Sequence, residues 1–249
     1  MKIKNISILL RYNKKRENKK MKNLKIYLFR HGQTYYNEKG IFTGQKKSKL
    51  TPKGIKNAKT IARKLKNKKF QVAFYTNLPR SKNTLKYVLK YHPECKKLIK
   101  DNRMIERSYG NLEGTSHDSF IKKIGKHAYD LRIEGDAIEN LSLKLRKKVE
   151  KFLGEQEYKV IHRGWNNPPK NGESFKMVEK RVKEFIKFLI KFMKKNKVNV
   201  AISAHGNSIR LFRKIIEKAT VEETVKWFIP YDKYFEYTIK IKNKKEVKK

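Results

Sequence analysis

Short apolar runs alternate with longer amphipathic stretches along this chain. Residues 24–29 read as a first buried strand, because Leu24, Ile26, Tyr27, Leu28 and Phe29 leave little room for a polar face. A polar loop follows from Gly32 to Leu50. At Thr51-Pro52 a helix starts, with Thr as N-cap and Pro at the first helical position. Ile55, Ala58, Ile61, Ala62 and Leu65 give it an apolar stripe. Phe70 to Tyr75 predicts a second strand and Thr76 to Arg80 the turn after it. The helix carrying Leu85, Val88 and Leu89 stops before Pro93, and Leu98-Ile99 suggest a third short strand.

Residues 115–170 are less regular. Helical pieces are expected near Ser119–Tyr129 and Leu141–Leu153, and Gly164 to Gly172 reads as a loop around Pro168-Pro169. From Glu173 a long helix is clear, with Phe175, Val178, Val182, Phe185, Ile186, Leu189 and Met193 on one stripe. Val198 to Ala204 is the next strand. Ser208 to Ala219 and Val221 to Trp227 follow as helices, and Tyr234 to Ile241 alternates like a closing strand. Strands and helices alternating on this scale imply an α/β fold: a mostly parallel central sheet with helices on both faces. The expected organisation is a basic tail over 1–23, one domain over 24–242 with 115–170 as a helical insertion covering the site, and a basic tail over 243–249.

Charge enlarges the picture without redirecting it. Lys and Arg outnumber Asp and Glu by 65 to 23, giving a formal charge of +42. Such a field attracts anionic metabolites and, through non-specific charge only, nucleic acid. The lysines are spread along the whole chain, as at Lys183, Lys187, Lys191 and Lys194 on the polar face of the long helix. That reads as a solvated surface. The single cysteine, Cys95, excludes an intramolecular disulfide and a cysteine metal site, and fits a cytoplasmic location. No apolar run approaches the ~20 residues that span a bilayer, so no membrane partner is expected. His92, His117, His127 and His162 are not at ligand spacing and read as surface or loop histidines, and no metal is expected. No glycine pattern that would cradle a nucleotide appears.

The candidate chemistry stands at two strand ends. Residues 25–34 run Lys-Ile-Tyr-Leu-Phe-Arg-His-Gly-Gln-Thr, so β-forming residues end abruptly in Arg30-His31-Gly32. Open α/β sheets place their sites at that edge. His31 can act as a nucleophile through a neutral ring nitrogen, and Arg30 carries a permanent fork that fits phosphate. Gly32 would let the backbone approach an anion closely. Far downstream a second strand-like run ends in Ala204-His205-Gly206-Asn207-Ser208.

These two motifs, RHGQT and AHGNSIR in this order, resemble those of the histidine phosphatase superfamily, the phosphoglycerate mutase-like family. The resemblance covers roughly Lys25 to Ile241. It implies a three-layer sandwich and a phosphohistidine formed on His31, with no metal and no other cofactor. Arg30 and His205 would neutralise the phosphoryl oxygens, together with Arg80 in Tyr75-Thr76-Asn77-Leu78-Pro79-Arg80, where Asn77 would cap the next helix. Glu106 matches the family's acidic position, with Glu113 as a rival and Arg103 or Arg107 as alternative salt-bridge partners for Glu106. Asn37, Thr43, Gly44, Tyr109, Gly206, Asn207 and Glu173 match positions that touch phosphate or substrate, and Ser174 would cap the long helix.

Two reactions fit that set. A phosphatase admits water to the phosphohistidine, whereas a mutase needs further cations for a second phosphate and 2,3-bisphosphoglycerate as primer. Phe42-Thr43-Gly44, Glu106-Arg107-Ser108-Tyr109-Gly110 and the 99 residues from Glu106 to His205 (205 − 106) are mutase-like. Against that, His117 stands where the mutases carry a lysine, Gln45 where they carry Trp, and Arg132 alone where they carry an arginine pair. Asn171-Gly172-Glu173-Ser174 resembles the phosphatases. Arg132, Arg163, Lys122 or Lys123 could replace the missing cations. The expectation is hydrolysis of a small phosphorylated metabolite, with the glycolytic mutase reaction as the alternative. A basic nucleic-acid-binding protein on this scaffold is a remote third reading.

Overall fold

A computed structural model describes residues 7–8, 21–135 and 141–242. By its contacts the chain divides into two compact units: Met1–Gln33, Leu50–Glu106 and Glu179–Lys249 form the first, and Thr34–Lys49 with Arg107–Val178 the second. The segment expected as an insertion falls inside the second unit, which also takes in the loop 34–49.

The first unit is built on a sheet of β1 (Ser7–Ile8), β2 (Met21–Arg30), β3 (Val72–Tyr75), β4 (Lys97–Lys100), β5 (Val200–Ala204) and β6 (Tyr234–Lys242), in the order β1-β6-β2-β5-β3-β4. Every neighbouring pair is parallel except β2 with β6. β2 starts three residues earlier than the hydrophobic pattern suggested, because β6 runs on to Lys242 and pairs with it down to Met21. Of the expected tails, residues 7–8 and 21–23 are strand and the others lie outside the described residues.

The strand alternation sorts side chains onto two faces. Tyr27, Phe29, Ala73 and Ala201 pack against Ile61, Ala62 and Leu65 of α2 (Pro52–Leu65) and Leu85 and Val88 of α3 (Pro79–Leu89). On the other face Phe74 meets Phe185 of α6 (Phe175–Asn196) edge-on, with centroids 5.5 Å apart. Tyr237 of β6, in register with Ile26, lies 5.8 Å from Phe212 of α7 (Gly206–Glu217). The expected three layers follow. α2 begins as its sequence predicts, with Thr51 capping Gly54 N–H and Pro52 at the first position. The cap of α3 differs: Leu78 holds that position, and the exposed Asn77 donates its N–H to Asn102 Oδ1. His92 is also not a surface histidine. Its ring is buried on Phe70, at 4.2 Å, and Nδ1 pairs with Glu94.

The second unit holds α1 (Tyr35–Glu38), α4 (His117–Glu134) and α5 (Leu143–Arg163). α5 runs ten residues beyond the expected end at Leu153. Gly154 ends the pattern on paper, yet it is where the two helices cross. A Cβ there would stand 2.1 Å from the Ile121 carbonyl oxygen, and one on Gly125 of α4 would stand 1.9 Å from the Glu150 oxygen. These glycines are contact points, not helix ends. A second core gathers Phe42, Tyr109 and Phe120, with His117, Tyr158 and His162 packed ring to ring around Phe42. His127 alone of the four unassigned histidines is exposed.

Arg107 anchors this unit. It is fully buried between Tyr109 and Phe175, and its guanidinium donates to the carbonyls of Glu173 (2.6 Å), Ile161 (2.9 Å), His162 and Asn167. The basic face of α6 is solvated as expected, with Lys183, Lys187, Lys191 and Lys194 exposed. Among the described residues no helix is long and apolar enough to cross a membrane.

Candidate active site

Three adjacent parallel strands end together in the first unit. β2 delivers Arg30 and His31, β5 delivers His205 and β3 delivers Thr76. The His31 N–H closes on the Ala204 carbonyl at 3.0 Å, so the two histidines leave the sheet side by side. Their ring centroids are 5.0 Å apart. His31 is 2% exposed, His205 0%, Arg80 1% and Glu106 8%.

The backbone fixes the tautomer of His31. Its Nδ1 lies 2.7 Å from the Gly32 carbonyl oxygen, which can only accept, so Nδ1 carries the proton and Nε2 the lone pair. Arg80 Nε donates to that lone pair at 3.2 Å. Burial, then the Arg80 and Arg30 guanidinium groups, hold His31 well below the ordinary imidazole value of 6.5. The ring is therefore neutral and nucleophilic at physiological pH.

His205 is arranged differently. Thr76 Oγ1 lies 2.8 Å from its Nε2 and also accepts the Leu78 N–H. Nδ1 is buried with no hydrogen-bond partner among the described residues. Burial, followed by Arg80 and His31, keeps this ring neutral too. Arg30 repeats the pattern. Its Nη1 donates to the Ile229 carbonyl at 2.9 Å, its guanidinium lies 3.9 Å from the centre of the Tyr231 ring, and its buried Nε has no hydrogen-bond partner among the described residues. An orphaned arginine donor beside the His31 lone pair suits an oxyanion.

Neutral burial of both rings has a consequence for stability. The unfolded chain protonates histidine near 6.5, whereas the folded chain resists it. The contribution is fully present above that value and is lost as pH falls through it towards the depressed native values. The expected loss is about 1.4 kcal/mol per pH unit for each ring. Urea unfolding between pH 7.5 and 5 should show it, and the His31→Gln, His205→Gln double variant should flatten the slope. An equal slope in that variant would contradict this assignment.

The rest of the first unit holds these groups still. Ser81 Oγ donates to the Ser203 carbonyl (2.7 Å), and Ser203 Oγ returns the bond to the Ser81 carbonyl (2.9 Å), which ties the start of α3 to β5. Gly32 does not approach an anion as expected. Its N–H is donated to Thr84 Oγ1, and a Cβ would stand 2.1 Å from the Gly54 carbonyl oxygen. Its smallness serves packing against α2. Glu106 Oε1 accepts the Asn207 N–H at 3.2 Å, so the carboxyl stands at the start of α7, where Gly206 also lies against the Arg30 guanidinium. Of the two arginines expected as partners for Glu106, Arg103 bonds Asp101 and Arg107 donates to carbonyls.

The remaining expected residues lie in the second unit. Asn37 Oδ1 accepts from the Thr34 N–H and hydroxyl, capping α1. Thr43 Oγ1 donates to the Ile41 carbonyl, and Gly44 takes a left-handed backbone, φ +46°. The rival acid, Glu113, is committed: its Oε1 accepts from Gln45 N–H, Tyr109 N–H and Ser108 Oγ. Glu173 accepts the Ser108 N–H at 2.9 Å, and Ser174 Oγ caps α6 at Met177. Thr76 and Thr84 stand four residues before and after Arg80, as the resemblance implies; sequence reasoning missed Tyr231 and Arg181, whose guanidinium reaches the Glu106 segment. Only Arg181 left a sequence signal, as an arginine flanking an apolar stripe three residues after Val178. Among the described residues no cluster of His, Cys, Asp or Glu could hold a metal ion.

Comparison with known proteins adds to this geometry. The model of the histidine phosphatase superfamily (branch 1) matches residues 26–141 and 144–245. A 2,3-bisphosphoglycerate-dependent phosphoglycerate mutase of Pseudoalteromonas atlantica is 28% identical over 79% of this chain and 85% of its own. Its counterpart in Buchnera aphidicola subsp. Schizaphis graminum is 32% identical over 84% of this chain and 91% of its own. The solved alpha-ribazole phosphatase of Shigella flexneri has the same fold, with a TM-score of 0.63 at 19% identity over 88% of this chain and 95% of that one.

Proposed function

Since the chain belongs to the histidine phosphatase superfamily, a family of phosphoryl-transferring enzymes, we propose that it hydrolyses a small phosphomonoester through a phosphohistidine on His31. One observation carries the reading: His31 Nε2 keeps its lone pair while the orphaned Arg30 Nε stands ready for a phosphoryl oxygen. In the first step Nε2 attacks phosphorus. The bond from phosphorus to the leaving oxygen breaks, and Glu106 gives that oxygen its proton. Arg80 moves its donor from Nε2 to a phosphoryl oxygen. In the second step water attacks phosphorus, the Glu106 carboxylate takes its proton, the P–N bond breaks and orthophosphate leaves. The residues perform this with no metal, and a cytoplasmic place belongs to the same reading.

Hydrolysis is favoured over isomerisation by what stands at two positions where the mutases carry cations, His117 and Arg132. His117, which stands where a mutase lysine is expected, is packed against Phe42 and bonded to Tyr158, and burial lowers its pKa. Arg132 is exposed and donates to the Ala128 carbonyl on its own helix. One observation favours the mutase reading: Arg163 Nη1 is buried with no partner among the described residues. The mutases among the relatives add to that, and such a reaction would need 2,3-bisphosphoglycerate as primer.

Phosphorus NMR with 3-phosphoglycerate, with and without 2,3-bisphosphoglycerate and with EDTA throughout, separates the two. The expected result is orthophosphate, from this ester or from another in a panel of phosphomonoesters, without isomerisation. Appearance of 2-phosphoglycerate dependent on the bisphosphate would overturn hydrolysis in favour of the mutase.

A further inference from the structure

Glu106 lies on a stretch with no helix or strand of its own, just past the 3-10 turn Asn102–Met104. Interior backbone carbonyls on such a stretch need donors from elsewhere. Here three of them converge on one side chain. Arg181, in the second turn of α6, donates Nη1 to the carbonyls of Arg103 (2.9 Å) and Ile105 (2.8 Å) and Nη2 to that of Glu106 itself (3.1 Å). Met104 and Ile105 are buried between these bonds. At its other end the Glu106 carboxyl accepts the Asn207 N–H. Arg181 therefore sets the main chain from which the carboxyl projects.

We propose that Arg181 is a positioning residue for Glu106: its guanidinium holds the three carbonyls so that the carboxyl group stands where the leaving oxygen departs. The inference rests on the reading of Glu106 as the acid. It gives a fork, not a charge, as the requirement. A lysine ammonium is a point donor and cannot serve carbonyls 103 and 106 along two fixed directions. The charge of Arg181 also reaches His205, where it helps keep that ring neutral. An effect through His205 would fall on the phosphoryl group and so on every substrate alike. In kcat/KM, which reports the first step, an effect through Glu106 falls only on substrates whose leaving group needs a proton.

The test compares kcat/KM for a nitrophenyl phosphate, whose leaving group departs unaided, with that for an alkyl phosphate. Arg181→Met, Glu106→Gln and the double variant are each measured, with thermal unfolding as a check of the fold. Arg181→Met should slow the alkyl ester about 10- to 100-fold through kcat and leave the nitrophenyl ester within about threefold. In the Glu106→Gln background the same change should cost the alkyl ester nothing further, because its route of action is gone. Where Arg181→Met does not fold, Arg181→Lys gives the same comparison. Equal losses on both esters, or a full additional loss in the double variant, would overturn the proposal while leaving Glu106 as the acid. A Glu106→Gln enzyme that shows no leaving-group dependence would overturn the acid assignment itself, and the proposal with it.

Discussion

Replacing His31 by Ala should abolish turnover, lowering kcat/KM for any phosphomonoester by about 10⁵- to 10⁶-fold. The size follows from what is removed. Among the described residues the other ring of this site, His205, has its Nε2 engaged by Thr76. Without a nucleophile the covalent route closes, and only direct attack by water remains. The anion site should survive, because Arg30 and His205 are held by contacts independent of the His31 ring, to Ile229 and to Thr76, while Arg80, which loses its bond to Nε2, keeps its place at the start of α3. Calorimetric titration with orthophosphate should therefore give an affinity within about tenfold of the parent. The paired result separates loss of chemistry from loss of folding. Residual activity above about one thousandth of the parent's would remove His31 from the reaction.

The second large effect is selective. Glu106→Gln should reduce kcat/KM for an alkyl phosphate by about 10²- to 10⁴-fold and barely touch a nitrophenyl phosphate in its first step. Gln has the shape of Glu, and its amide oxygen can still accept the Asn207 N–H that Oε1 accepts now. What it cannot do is give up a proton. A poor leaving group must then depart as an alkoxide, whereas nitrophenolate departs unaided. Losses of the same size on both substrates would mean that Glu106 serves binding or folding and that another group protonates the leaving oxygen.

The sheet edge was legible in the sequence because strand ends and glycines mark it. Leu24 to Phe29 and Val198 to Ala204 announced two strands, and the histidine after each declared the site. What the hydrophobic pattern could not give was anything that depends on close approach. Gly154 reads as a helix end until α4 is seen crossing there, and Gly32 reads as an anion loop until Gly54 is seen against it. Asn77 looked like a cap, yet Leu78-Pro79 begins α3, since proline at the first position fixes the turn without a side-chain acceptor. Buried arginines were the other blind spot. Arg107 and Arg181 satisfy carbonyls far along the chain, and sequence spacing carries no trace of such partners. His117 was read as a surface or loop group because its aromatic neighbours, Phe42 and Tyr158, come from separate segments, and His162 because Phe42 lies far from it along the chain.

The central claim is that phosphorus passes through His31 Nε2. The Glu106→Gln enzyme offers the direct view, since nitrophenyl phosphate can load it while the missing carboxylate slows attack by water. Rapid mixing should release one nitrophenolate per active site in a burst, and mass spectrometry of the quenched protein should find one acid-labile phosphoryl group, on His31. A reaction with no burst, or a phosphoryl group on any other residue, would contradict the account.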